Sequence, residues 1–179
     1  MIELFHYTKS EQDKLIKSIT VLVDTREHDG KNEHILSYFD SKGIPWKKSK
    51  LDYGDYSFLV PANEELKIPK DLYFDKQIMV ERKANLEEFS GNITEARDRI
   101  KKELALAPPN KVLVIENGSY ADMIMGNYKT KYDSKSYWAT VHSFWHEFDI
   151  PIIFMPDPKY TGIFIWGYFK YYFYNVLKG

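Results

Sequence analysis

The stretch Ile78-Met79-Val80-Glu81-Arg82-Lys83 runs three apolar residues of strand type straight into three charges. Residues two apart in a strand share a face, so Glu81 and Lys83 point one way and Arg82 the other. Burying such a pair is a poor route to stability, because desolvation of both charges commonly offsets their attraction. Two further apolar runs meet charge in the same way. Ile19-Thr20-Val21-Leu22-Val23 leads into Asp24-Thr25-Arg26-Glu27, and Asp55 follows Gly54 at the head of a run that continues to Val60. Were these strands neighbours in one sheet, Asp24, Glu27, Asp55 and Glu81 would converge at its edge. Converging carboxylates raise one another's pKa unless a cation neutralises them. Oxygen-only ligands suit Mg2+ or Mn2+, ions that keep several waters and pair with substrate phosphates.

That chemistry assigns each side chain a task in phosphodiester hydrolysis. Asp55 and Glu81 would hold the metal, with Asp24 or Glu27 as further ligands, direct or through water. The metal would polarise the scissile phosphate, lower the pKa of a bound water and stabilise the charge of the in-line transition state. Lys83 would orient or help deprotonate the attacking water, or neutralise charge on the phosphate. The sequence leaves these alternatives open, and one metal against two. The tripeptide Glu-Arg-Lys taken alone is no more than an ordinary ion pair at a strand end; the set of strand ends carries the reading.

Strands and helices must alternate to position these residues, which is the pattern of an α/β layer fold. The spacing predicts a helix over Ser10 to Lys17, then the continuously apolar strand Ile19 to Val23, of the kind buried on both faces. A helix follows from Asn32 to Lys42, stopped by Gly43. Ile44 to Leu51 and Asp55 to Val60 read as strands joined in a hairpin by Asp52-Tyr53-Gly54. Pro61 to Asp75 reads as an extended loop before the strand of Glu81. Asn85 to Ala107 reads as two helices broken near Gly91 and ended by Pro108-Pro109. Beyond lie the strand Lys111 to Glu116, helices over Ser119 to Met125 and Ser136 to Phe148, a strand at Pro151 to Met155, and an aromatic helix from Tyr160 to Leu177.

With 179 residues, 44% hydrophobic and 28% charged, the chain has the length and composition of one soluble globular domain, expected over residues 1–179 with a core at about 20–116 and a helical part at 117–179. It has no cysteine, which excludes disulfides, thiolate zinc sites and cysteine nucleophiles. No stretch has the uninterrupted apolar length of a membrane span, and the opening MIELFHYTKSEQDK is too polar for a secretory signal. The expected location is the cytoplasm, with no membrane partner. A net charge of −1 means that any basic surface is local. It also leaves few surplus cations for counterion release, so affinity for plain duplex DNA is expected to be weak or assisted by a partner.

Val23-Asp24-Thr25-Arg26-Glu27, then Gly54-Asp55-Tyr56, then Val80-Glu81-Arg82-Lys83, followed by an apolar strand ending in Ile115-Glu116, resemble the ERCC4-type nuclease domain of the XPF group. Several separated blocks in the right order make a specific match, covering roughly Thr20 to Glu116. The resemblance implies a restriction-endonuclease-like fold, a central mixed β-sheet flanked by helices. It implies a Mg2+- or Mn2+-dependent DNA endonuclease acting on branched or distorted DNA, in repair, recombination or replication. Asp24, Glu27, Asp55, Glu81 and Lys83 stand at the catalytic positions, and Arg26 and Arg82 would contact phosphate or hold the carboxylates in place. The family's closing Asp is replaced by Glu87, one methylene longer. The family usually carries helix-hairpin-helix motifs and often a helicase-like region, for which 179 residues leave no room, so a compact stand-alone form, viral or prokaryotic, is expected. The second reading is a catalytically silent DNA-binding or dimerisation subunit. Since degenerate partners tend to lose the carboxylates that are all present here, activity is favoured.

Arg99, with Arg97 on the same helix, is a candidate DNA contact, though an i,i+4 pair with Glu103 accounts for it equally well. Lys129, Lys131 and Lys135 alternate with Tyr128, Tyr132 and Tyr137, as phosphate and stacking contacts or as a polar loop, the commoner fate. His142 and His146 lie four apart with no third ligand in view and are read as helix-face residues. The aromatic tract is too continuous for one amphipathic face and implies a helix covered within the chain or in a homodimer.

Overall fold

The computed structural model describes residues 6–27 and 30–178. Its sheet has seven strands, six of them in the order β2-β1-β3-β5-β6-β7, with β4 pairing β3. Helix α1 (Lys9–Ser18) opens on a capping box between Thr8 and Glu11 and feeds β1 (Thr20–Asp24), buried from Val21 onward. Helix α2 (Glu33–Lys42) ends at Gly43, whose φ of 64° supplies the left-handed cap, and leads to β2 (Trp46–Ser49). Strands β3 (Tyr56–Val60), β4 (Leu72–Tyr73) and β5 (Ile78–Lys83) follow, with a short 3-10 turn at Glu64–Leu66 between β3 and β4. The chain continues through α3 (Leu86–Glu95), α4 (Arg97–Leu106), β6 (Asn110–Glu116), α5 (Tyr120–Met125), α6 (Ser134–Phe148), β7 (Ile152–Met155) and α7 (Thr161–Lys178).

The sheet is mixed. Strand β1 runs parallel to β2 and antiparallel to β3; β3 is antiparallel to β5; and β5, β6 and β7 are parallel. Alternation along the strands divides the core between two faces. On one, Val21, Val23, Tyr56, Phe58, Val80 and Val114 pack under α1, α2 and α7 through Ile16, Phe39, Ile165, Phe169 and Phe173. On the other, Leu113, Ile115 and Ile152 meet Phe89, Ile100, Leu104 and Phe144 of α3, α4 and α6. Helix α7 is covered mainly within the chain, while Ile163 and Tyr171 remain 51% and 61% exposed. No helix among the described residues is long and apolar enough to cross a membrane.

Two expectations are corrected. Ile44 to Val60 is not a hairpin: β2 and β3 lie on opposite sides of β1, because α2 carries the chain back to lay β2 parallel to β1. The segment after β2 therefore crosses the end of β1 before β3 begins. Periodicity identifies a strand but not its partner. The break between α3 and α4 falls at Ala96, with φ −126°, and not at Gly91, which sits inside α3. A single glycine weakens a helix by about 1 kcal/mol and does not end it.

Candidate active site

The pairings Val23 with Tyr56 and Tyr56 with Val80 set Asp24, Asp55 and Glu81 side by side at the ends of β1, β3 and β5. The backbone confirms the register: Asp24 N–H donates to Asp55 O at 2.8 Å, and Asp55 N–H to Val80 O at 2.9 Å. Gly54 makes the second contact possible. Its φ is +73°, and a Cβ there would stand 2.6 Å from Met79 Sδ and 3.2 Å from Val80 O. The three carboxylates line a cleft together with Arg26, Tyr53 and, from α4, Arg99, Glu103 and Leu104.

Though neighbours, the carboxylates are in different states. Asp24 is buried and both of its oxygens are engaged: Oδ1 accepts from Leu51 N–H at 2.9 Å and Oδ2 from Arg26 Nε at 2.5 Å. Arg26 Nη2 also donates to Leu51 O at 2.9 Å. Asp24 and Arg26 thus satisfy the backbone of the segment that crosses β1. Asp55 Oδ2 accepts from Arg82 N–H at 2.7 Å. Burial first, then the charges of Glu81 and Glu27, lift the Asp55 carboxyl well above the ordinary aspartate range, against the pull of Lys83. Lys83 Nζ holds Glu81 Oε1 at 2.8 Å and lies 3.9 Å from Glu88. Burial opposes its charge, yet Glu81 and Asp55 outweigh that and raise the Lys83 pKa, so it stands as an ammonium.

Arg82 points to the other face, as alternation requires. Its Nη2 lies 2.7 Å from Glu116 Oε2 and donates to Lys31 O at 2.8 Å, and its Nε donates to Glu116 Oε2 at 2.9 Å. His34 Nε2 is 2.7 Å from Glu116 Oε1. With 6% of its surface exposed, Arg82 is turned inward onto Glu116, an arrangement that suits the second of its two expected roles, holding a carboxylate in place, better than the first, contact with phosphate. Glu27, just past β1, lies 3.6 Å from Arg82 Nη1 through Oε2, an oxygen that is buried and finds no hydrogen-bond partner among the described residues. Burial raises the Glu27 pKa, Arg82 lowers it, and Glu81 raises it again.

The remaining candidates separate by position. Arg99 is 70% exposed in its side chain and faces the cleft, with Glu103 at 4.0 Å. Arg97 packs its guanidinium over the Phe144 ring at 5.6 Å. Glu87 Oε1 accepts from Lys129 N–H at 2.9 Å and so ties α3 to the basic loop. His142 contacts Tyr120 and Trp138. In the sequence Glu116 stands only as the end of an apolar strand, with no role; its pairing with Arg82 reveals its part.

Among the described residues no three His, Asp or Glu side chains are gathered closely enough to hold a metal ion as they stand. The donor set nevertheless fits a hard cation. Burial, with the charges of Glu81 and Glu27, makes Asp55 costly to ionise, and Glu27 Oε2 is a buried acceptor with no hydrogen-bond donor among the described residues.

A sequence profile of the ERCC4 domain matches residues 23–166, from the first motif block into α7, and the chain belongs to the ERCC4 domain family. Its structure is similar to XPF from Aeropyrum pernix, with a TM-score of 0.59 and 18% identity over 86% of this chain and 61% of that one. It is similar also to XPF from Aeropyrum pernix in complex with DNA, with a TM-score of 0.62 and 20% identity over 87% of this chain and 66% of that one. At these identities the likeness establishes the fold, the mixed sheet with flanking helices, and the chain spans less than two thirds of either protein. No curated protein matches the sequence.

Proposed function

We propose that this chain is a divalent-cation-dependent DNA endonuclease that hydrolyses phosphodiester bonds in branched or distorted DNA. The row Asp24, Asp55 and Glu81 at adjacent strand ends, in a cleft flanked by Arg26 and Arg99, is the observation that carries the proposal. Membership of the ERCC4 domain family supports it, and the similarity to an XPF structure in complex with DNA supports DNA as the substrate.

Asp55, Glu81 and Glu27 would hold Mg2+ or Mn2+, and Asp24 would brace Arg26 and the crossing segment. When bound, the ion supplies Lewis acidity at the scissile phosphate and a more acidic water. Lys83, kept protonated by Glu81 and Asp55, faces the phosphate as a fixed positive charge and orients the attacking water; a neutral lysine base is disfavoured by the same neighbours. Arg26 and Arg99 both line the cleft, where they would meet phosphates flanking the cut. A homodimer, with Ile163 and Tyr171 of α7 among the exposed apolar residues, and a cytoplasmic location complete the proposal.

Cleavage of labelled flap, fork, junction and plain duplex DNA with Mg2+ or Mn2+ tests it, comparing the wild type with Asp55→Asn and Lys83→Ala. Cutting by the wild type alone, with preference for one branched form, is expected. A chain that binds these DNAs and cuts none of them would instead be the silent subunit.

A further inference from the structure

The cation-binding reading of Glu27 raises a question that the family motifs do not address. Among the described residues Arg82 is the ion-pair partner of Glu27, yet its Nη1 stops at 3.6 Å from Glu27 Oε2, beyond hydrogen-bond reach. An unopposed guanidinium would close on such a carboxylate and make a charge-assisted bond, the strongest available to it. Here the guanidinium is held back by Glu116, whose Oε2 takes both Nε at 2.9 Å and Nη2 at 2.7 Å. Lys31 O takes Nη2 as well, at 2.8 Å.

Glu116 is itself fixed. It is fully buried at the end of β6, and its second oxygen meets His34 Nε2 at 2.7 Å from α2. Burial opposes its ionisation, but bonding to Arg82, with His34, keeps its carboxyl below the ordinary glutamate range. It therefore stays an anion and remains the stronger claimant on Arg82.

We infer that Glu116 is a positioning residue for the cation site, which holds the Arg82 guanidinium away from Glu27 so that the buried Glu27 oxygen stays free to bind a divalent cation. The inference rests on the proposed function, since it concerns the same site. Arg82 acts in two directions from one place: its guanidinium is withheld from Glu27, and its backbone N–H steadies Asp55 at 2.7 Å. His34 orients Glu116 and does not touch Arg82's bonds.

The test is calorimetric titration of the metal-free chain with MnCl2, with thermal melts in parallel, on wild type, Glu116→Gln, Glu27→Gln and the double variant. Glu116→Gln is expected to bind Mn2+ about tenfold more weakly, the scale typical of residues that support metal ligands. The double variant is expected to bind no more weakly than Glu27→Gln alone, because a residue that shields Glu27 has nothing left to shield. His34→Ala, which leaves Arg82 bonded to Glu116 but loosens Glu116 itself, is expected to lower the melting temperature and to weaken Mn2+ binding by less than Glu116→Gln does. Glu116→Gln with wild-type Mn2+ affinity overturns the inference even if it melts earlier, and so does a double variant whose losses multiply. Should Glu116→Gln not fold, Glu116→Asp takes its place: one methylene shorter, its carboxylate falls short of the Arg82 guanidinium, and unchanged affinity is again the overturning result. A wild-type chain that binds no Mn2+ overturns the proposed function as well, whereas normal wild-type binding with unaffected variants overturns this inference alone.

Discussion

Asp24 and Asp55 are joined across β1 and β3 by a main-chain hydrogen bond of 2.8 Å, yet their carboxylates are prepared for different work. Asp24 has donors on both oxygens, while Asp55 shares its surroundings with Glu81 and Glu27 and has its pKa pushed well up. On the proposed function, neighbouring aspartates in one cleft divide bracing from cation binding, and substitutions at each separate the two.

Asp55→Asn is expected to abolish cleavage, by at least about 100-fold, and to stabilise the metal-free chain. Asparagine keeps the bond from Arg82 N–H without the charge. Relief of about 1 kcal/mol raises the melting temperature of a chain this size by about 2–4 °C. The sign with pH follows from the raised folded pKa. Wild-type stability in chelator falls as pH rises from about 3.9, the unfolded aspartate value, through the folded pKa, and the Asp55→Asn melt loses that slope. Melts at several pH values in chelator check this.

Asp24→Asn leaves one acceptor where Leu51 N–H and Arg26 Nε need two. A loss of about 1–3 kcal/mol is expected, the cost of a buried donor left unmade, read by urea denaturation. Mn2+ affinity should change less than in Asp55→Asn, in the same calorimetric titration.

Lys83→Ala removes the positive neighbour of Glu81 and Asp55. Metal binding should tighten, since two carboxylates lose a competing cation, while cleavage falls by about 100-fold. Paired measurement of Mn2+ affinity and single-turnover cleavage gives opposite signs if Lys83 acts on the phosphate and its water.

Gly54→Ala should cost about 1–3 kcal/mol, because the residue needs φ of +73° and a Cβ would meet Met79 Sδ at 2.6 Å. Loss of cleavage beyond the loss of stability is expected, since Asp55 follows directly. Denaturation and cleavage at a temperature where the variant is folded separate the two effects.

Arg99→Ala and Arg82→Ala form a contrast. The exposed Arg99 should contribute to DNA affinity alone, with the slope of log affinity against log salt reduced by about 1 and stability unchanged. Arg82→Ala leaves the buried Glu116 carboxylate with His34 as its remaining ionisable partner and should cost about 3–5 kcal/mol. Salt-dependent DNA binding and urea titration read the two quantities.

Local physics made much of this legible without tertiary structure. Valine and isoleucine runs marked β1, β5 and β6; Gly43 marked the end of α2; and the carboxylates at strand ends marked side chains that the sheet does bring together, with parity alone sending Arg82 away from Glu81 and Lys83. The partner of β2, the break at Ala96 and the duties of Asp24, Arg82, Glu87 and Glu116 were not legible. Each depends on what lies across the sheet or beyond the strand end, over distances in sequence that no local period encodes. Thus Asp24 braces because the segment after β2 crosses β1, and Glu116 matters because β6 brings it beside Arg82. Alternation determines which way a side chain points, while only the packing of distant strands decides which neighbour it meets there, and so whether a charge is spent on holding the fold or left free for a cation.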